Sequence, residues 1–131
     1  PSDGSLVRYQ SIDVGVWGKL NVTRETVAAR LDDVLGVRVR MMPGGPEKLS
    51  RVGVATGGAG SMIGEAVRAG LDAFVTGEGA HHTYFDAMEG GINVYYGGHY
   101  ATETFGVRAL GEHLEKKFGL PFEFIDLPTG L

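Results

Sequence analysis

The chain contains no cysteine. That excludes disulfides, cysteine-ligated zinc, iron–sulfur clusters and thiol nucleophiles, and it favours a cytoplasmic setting over a disulfide-rich secreted one. Any metal must therefore be held by His, Asp or Glu. Positive charge is also scarce: 12 Lys and Arg stand against 16 Asp and Glu, a net charge of -4, with no basic run. The electrostatic footprint of a nucleic-acid partner is missing. No apolar run approaches the roughly 20 residues of a membrane span, and Pro1-Ser2-Asp3-Gly4-Ser5 has neither the basic region nor the apolar core of a signal peptide. The expectation is a soluble, cytoplasmic protein.

Glycine, by contrast, is abundant, with 22 copies in 131 residues. The copies fall in short clusters between periodic segments, as punctuation rather than as a flexible linker. The length fits one domain, residues 1–131. From Leu6 to Leu20 the pattern suggests two short strands, or a strand and an irregular loop, with Trp17 in a core or interface. A helix follows from the N-cap Thr23 to the stop at Gly36, with Val27, Ala28, Leu31, Val34 and Leu35 at helical spacing. Val37, Val39 and Met41 alternate with Arg38 and Arg40, which reads as a half-exposed strand ending at Pro43-Gly44-Gly45-Pro46.

Beyond that turn, strands at 52–55, 73–75 and 92–96 alternate with helices at 61–69, 81–89 and 101–118, the last carrying Phe105, Ala109 and Leu114 on one side. A fourth strand is expected at Phe122–Ile125. Such alternation implies an α/β fold of βαβ units with a mainly parallel sheet. Ligands of parallel sheets gather outside the carboxyl ends of the strands. Three glycine-rich turns follow three successive strands: Thr56-Gly57-Gly58-Ala59-Gly60-Ser61, Thr76-Gly77-Glu78-Gly79-Ala80-His81-His82, and Gly97-Gly98-His99-Tyr100-Ala101-Thr102-Glu103. Parallel strands would bring all three to one edge, together with three of the four histidines.

His99 and Glu103, four residues apart on a helix, share a face with Cβ atoms ~6 Å apart, close enough to bind one divalent ion. A helix-start histidine bonded to Glu103 is the alternative reading of the pair. His81 and His82 are adjacent, so they diverge by about 100° and cannot both serve one ion unaided. Glu78, between two glycines, supplies the only side-chain chemistry of its turn. His113, roughly 21 Å further along the helix than His99, lies outside the group. A nucleotide-binding reading competes: Gly58-x-Gly60-x-x-x-Gly64 follows a strand, and Glu78 falls where a ribose-binding acid belongs. Yet that fingerprint has an extra residue before its third glycine and gives His99 and Glu103 no task.

These same blocks carry a family likeness. Asp72 to Glu78, His81-His82, Gly98 to Glu103 and Phe124 to Pro128, with Val14 to Gly18 and Val52 to Gly58 before them, resemble the carboxy-terminal half of the NIF-three-like family, also called GTP cyclohydrolase I type 2 homologues. The resemblance covers most of the chain. It implies two similar α/β halves, two divalent metal ions between them (Zn, Mn, Fe, Co or Ni), and a homo-oligomer, a hexamer in the complete protein. It also implies that His99 and Glu103 are metal ligands and that Glu78 is a catalytic or supporting group. Thr76, His81, His82 and Tyr100 are candidates to face a small-molecule substrate, one of the two adjacent histidines facing the site while the other is exposed or caps its helix. A metal-dependent hydrolase follows from the likeness, one in which a metal-bound hydroxide attacks a nucleotide ring or phosphoester; a non-catalytic metal-binding scaffold is the other reading. The remaining family ligands, a His-His-Pro-type motif and an aspartate, are absent here, so the chain is expected to be half of a protein about twice its length.

Overall fold

The computed structural model describes residues 6–9 and 12–131, with side chains from Val14 onward. The opening residues Pro1–Ser5, considered above for a signal sequence, lie outside the described residues. Strand β1 (Leu6–Tyr9) and the long β2 (Ile12–Thr23) form an antiparallel pair. Helix α1 (Arg24–Leu35) begins where Thr23 Oγ1 accepts a hydrogen bond from Thr26 N at 3.2 Å, and it ends at Gly36, whose φ of 67° admits the left-handed turn. Then come β3 (Arg40–Pro43), β4 (Lys48–Val54), a 3-10 turn at Gly60–Met62 leading into α2 (Ile63–Arg68), β5 (Ala73–Thr76), α3 (Thr83–Gly90), β6 (Asn93–Tyr96) and α4 (His99–Phe118).

Among the described residues the strands form one six-stranded sheet in the order β1-β2-β4-β5-β6-β3. Its centre is parallel, β4 beside β5 and β5 beside β6, and its flanks are antiparallel. The strand–helix alternation thus holds where the pattern is regular, and the early hairpin extends the sheet on one side. Central strands are apolar on both faces, as parallel strands covered by helices must be. Phe74, Ile63, Ile92 and Val94 pack on one face with α2 and α3, while Leu49, Val75 and Tyr95 pack on the other beneath Val27 of α1. Each of these large side chains is all but sealed from solvent, a burial worth about 1.5–3 kcal/mol per side chain.

The expected strand at Phe122–Ile125 does not form; residues 119–131 have no regular structure. The place beside β6, where a further parallel strand following α4 would extend the βαβ alternation, is taken by β3. The segment instead lies along α4, where Phe122 crosses so close to Gly111 that any Cβ would overlap its ring, and Arg108 stacks over Phe124 at 4.1 Å. Helix α4 itself is long but shallow: only Thr102 is buried, and Phe105 is exposed rather than inward. Trp17 is half-buried, with the Arg51 guanidinium 4.4 Å above its ring. No described helix is long and apolar enough to cross a membrane.

Candidate metal centre

The three glycine-rich turns meet at the carboxyl edge of β4, β5 and β6, and backbone hydrogen bonds knit them together. Gly77 N and Glu78 N both donate to Gly57 O, at 2.9 and 3.1 Å; Gly97 N donates to Thr76 O at 2.9 Å and Gly98 N to Gly77 O at 2.8 Å. Two buried hydroxyls complete the weave. Thr76 Oγ1 donates to Gly57 O at 3.3 Å and accepts from Ala59 N at 3.2 Å. Thr102 Oγ1 accepts from Gly57 N at 3.1 Å and donates to Gly98 O at 2.9 Å. Such close packing leaves no room for side chains: a Cβ on Gly77 would meet Gly98 O and His99 Cα, each at 2.8 Å.

His99 sits at the first residue of α4, directly over this weave. Its Nδ1 lies 2.5 Å from Glu78 Oε1, and its Nε2 lies 3.3 Å from Glu103 Oε1 one turn further along the helix. The hydrogen bond with Glu78 raises the imidazole above its ordinary range, partly opposed by desolvation and reinforced by the Glu103 charge. Gly57, at φ 73°, forms the floor, and a Cβ there would strike Glu103 Oε1 at 2.5 Å. The left-handed turn at this position favours glycine, and a Cβ would also press the Glu103 carboxylate aside.

Imidazole and carboxylate donors suit a borderline divalent cation. Glu78 and Glu103 bracket the ring from opposite sides instead of converging on one point, and among the described residues no three His, Asp or Glu side chains are arranged to enclose an ion. The donor set therefore fits part of a metal site: a His99–Glu103 pair, with Glu78 on the other ring nitrogen. That second contact is the usual outer support of a metal-bound histidine, which fixes the tautomer and the ring orientation.

The other sequence candidates separate. Thr76, expected to face a substrate, is instead wholly buried, and its hydroxyl is committed to the loops. His81 is exposed, its ring edge-on to Phe85 at 6.2 Å, and it takes no part in the group. His82 precedes α3 and lines a cleft of about 400 Å³ with Glu78, Ser61 and Gly60. Tyr100 lines a second cleft of about 560 Å³, while its hydroxyl donates to Asp126 Oδ1 at 2.7 Å and accepts from Leu127 N at 2.8 Å. Glu78 borders both clefts. Glu78, the ribose acid of the nucleotide reading, has one carboxylate oxygen on His99. Sequence reasoning missed Thr102, which the threonine at the fourth residue of a glycine-led helix could have signalled, and Arg38 and Arg40, which also line the larger cleft.

Fold and site together define an α/β domain whose parallel strands present a histidine–carboxylate group on a glycine floor. Residues 5–129 match the family model described as Duf34/NIF3 (NGG1p interacting factor 3), and the chain belongs to that family. It is 40% identical over 125 residues to a Deinococcus radiodurans protein named GTP cyclohydrolase 1 type 2 homolog, covering 94% of this chain and 48% of the relative. An Archaeoglobus fulgidus relative of the same name is 37% identical, with coverage of 94% and 49%. A crystal structure of a Thermus thermophilus protein superposes with a TM-score of 0.81 at 36% identity, over 96% of this chain and 50% of that one. The chain spans about half the length of the curated relatives it matches.

Proposed function

We propose that this chain is part of a divalent-metal-dependent protein, a hydrolase acting on a nucleotide or phosphoester, with His99 and Glu103 among the metal's ligands. The observation that carries this reading is the single imidazole held between two carboxylates on a side-chain-free floor, at the ligand edge of the sheet. With an ion bound, Glu78 would hold the proton on Nδ1, leaving the Nε2 lone pair for the ion on the side of Glu103. His99 and Glu103 would hold a divalent ion there, which would supply Lewis acidity to lower the pKa of a coordinated water and polarise an electrophile. Gly57 and Gly77 exclude competing side chains from the floor, and the two clefts beside Glu78 offer space for a small molecule. Further ligands would come from the rest of the longer protein, whose oligomer, a hexamer on the family resemblance, is part of the same proposal.

The test is an assay of the complete protein that contains this chain, loaded in turn with Zn, Mn or Fe and given GTP and model phosphoesters. Turnover above metal-free blanks, lost in Glu103→Gln, supports the hydrolase. Bound metal without turnover on any of these substrates favours a non-catalytic metal-binding scaffold.

A further inference from the structure

We propose that Arg38 and Arg40 form an anion subsite that holds a phosphate group of the substrate in the cleft bordered by Glu78, the partner of His99. The role of the reacting groups rests on the reading above; the phosphate contact is a separate claim with its own test. Topology supplies the first argument. Because β3 is antiparallel to β6, with Arg40 opposite Tyr96, the beginning of β3 lies at the carboxyl end of β6. The antiparallel edge strand thereby delivers its leading residues to the same edge as the three glycine turns.

Local pattern supplies the second. Val39 packs inward against the core, while Arg38 and Arg40 on either side of it are exposed, as alternation in an extended segment requires. Both line the 560 Å³ cleft with Glu78, Tyr96, Gly98 and Tyr100. Neither arginine makes an ion pair or a side-chain hydrogen bond among the described residues, so two guanidinium groups share a cleft with their donors unspent. Several other arginines are engaged: Arg24 with Glu25 and Gly45 O, Arg68 with Glu65, Arg51 and Arg108 on aromatic rings. The planar fork of guanidinium matches phosphate oxygens in pairs, which makes two free arginines in one cleft a phosphate seat. Glu78 borders the cleft and touches His99, so a phosphate on the arginines leaves the remainder of its molecule next to the reacting groups.

The chain, freed of metal by chelation and dialysis, is titrated with inorganic phosphate in a calorimeter. Saturable binding is expected, weakened roughly tenfold or more by the double substitution Arg38→Gln and Arg40→Gln, with each single substitution intermediate. Arg68→Gln is expected to bind phosphate within about twofold of the parent, since Arg68 pairs with Glu65 on α2 and does not line this cleft. Arg38 and Arg40 are exposed, and far-UV circular dichroism checks that the variants keep the fold. Absence of saturable binding by the parent chain, or equal binding by the double variant, overturns the subsite. Neither result touches the metal reading, which stands or falls on turnover by the loaded protein.

Discussion

The interlocked turns give a sharp prediction for Gly77→Ala. An added Cβ would meet backbone on two sides, Gly98 O and His99 Cα at 2.8 Å each, and Gly57 O closer still. Backbone cannot rotate away as a side chain can. Overpacking of this kind costs about 1–3 kcal/mol. Separating the turns also strains the bonds from Gly77 N and Glu78 N to Gly57 O and from Gly98 N to Gly77 O, each worth about 0.5–1.5 kcal/mol. A total near 3 kcal/mol is expected, a large share of the roughly 5–15 kcal/mol that stabilises a domain. With a urea slope of about 1.5 kcal/mol/M, the unfolding midpoint should fall by about 2 M. Gly106→Ala serves as the control: it is helical, exposed and has nothing within 4 Å of its Cβ position, so it should stabilise by up to about 1 kcal/mol. A Gly77→Ala midpoint within about 0.3 M of the parent would refute the close packing of the three turns.

Thr102→Val leaves the buried Gly57 N without its acceptor and should cost about 1–3 kcal/mol in urea unfolding, while Thr104→Val, whose hydroxyl only bonds back to Ala101 O, should cost less. Burial pushes the Asp72 carboxyl up, but hydrogen bonds from Ser50 N, Ser50 Oγ and Arg51 N, with the Arg51 charge, bring it below the usual aspartate value. Its stabilisation is therefore present above about pH 4 and lost as pH falls through the lower folded value; acid unfolding of Asp72→Asn should show a flatter limb there. Tyr95, buried with its hydroxyl donating to Arg24 O at 2.7 Å, has its phenol pushed up to about 12 by burial, with Glu25 adding to the effect. Stability should be insensitive to this group below about pH 10 and fall as pH rises towards 12; burial also raises Tyr96 and the Asp126 hydrogen bond raises Tyr100, so ultraviolet titration should show several late tyrosines, with Tyr95→Phe removing the one near 12.

Much of this arrangement could be read from residue order alone, because local chemistry dictated it. Thr23 and Gly36 bound α1 as a cap and a left-handed stop, and Gly97-Gly98 marked the turn into α4, two residues earlier than the apolar spacing suggested. Parallel pairing of β4, β5 and β6 then brought the glycine turns together as expected. What failed depended on competition for edges. Phe122–Ile125 has strand composition, but β3 occupies the place beside β6, a contact between segments some 50 residues apart that periodicity does not encode. The same hidden pairing explains why Arg38 and Arg40 read as solvent-facing charges rather than as the wall of a cleft. Thr76 departs from expectation for a related reason: position at the end of a strand fixes the edge, not whether the hydroxyl turns to solvent or to the neighbouring loop.

Zinc affinity, measured by competition against a chromophoric chelator, tests the central claim most directly when applied to the chain and to its His99→Ala and Glu103→Ala variants. The account predicts weak binding by the parent chain, because only part of a ligand set is present, and loss of that binding in either variant. A tightly held pair of ions in the isolated chain, or binding that survives both substitutions, would contradict it.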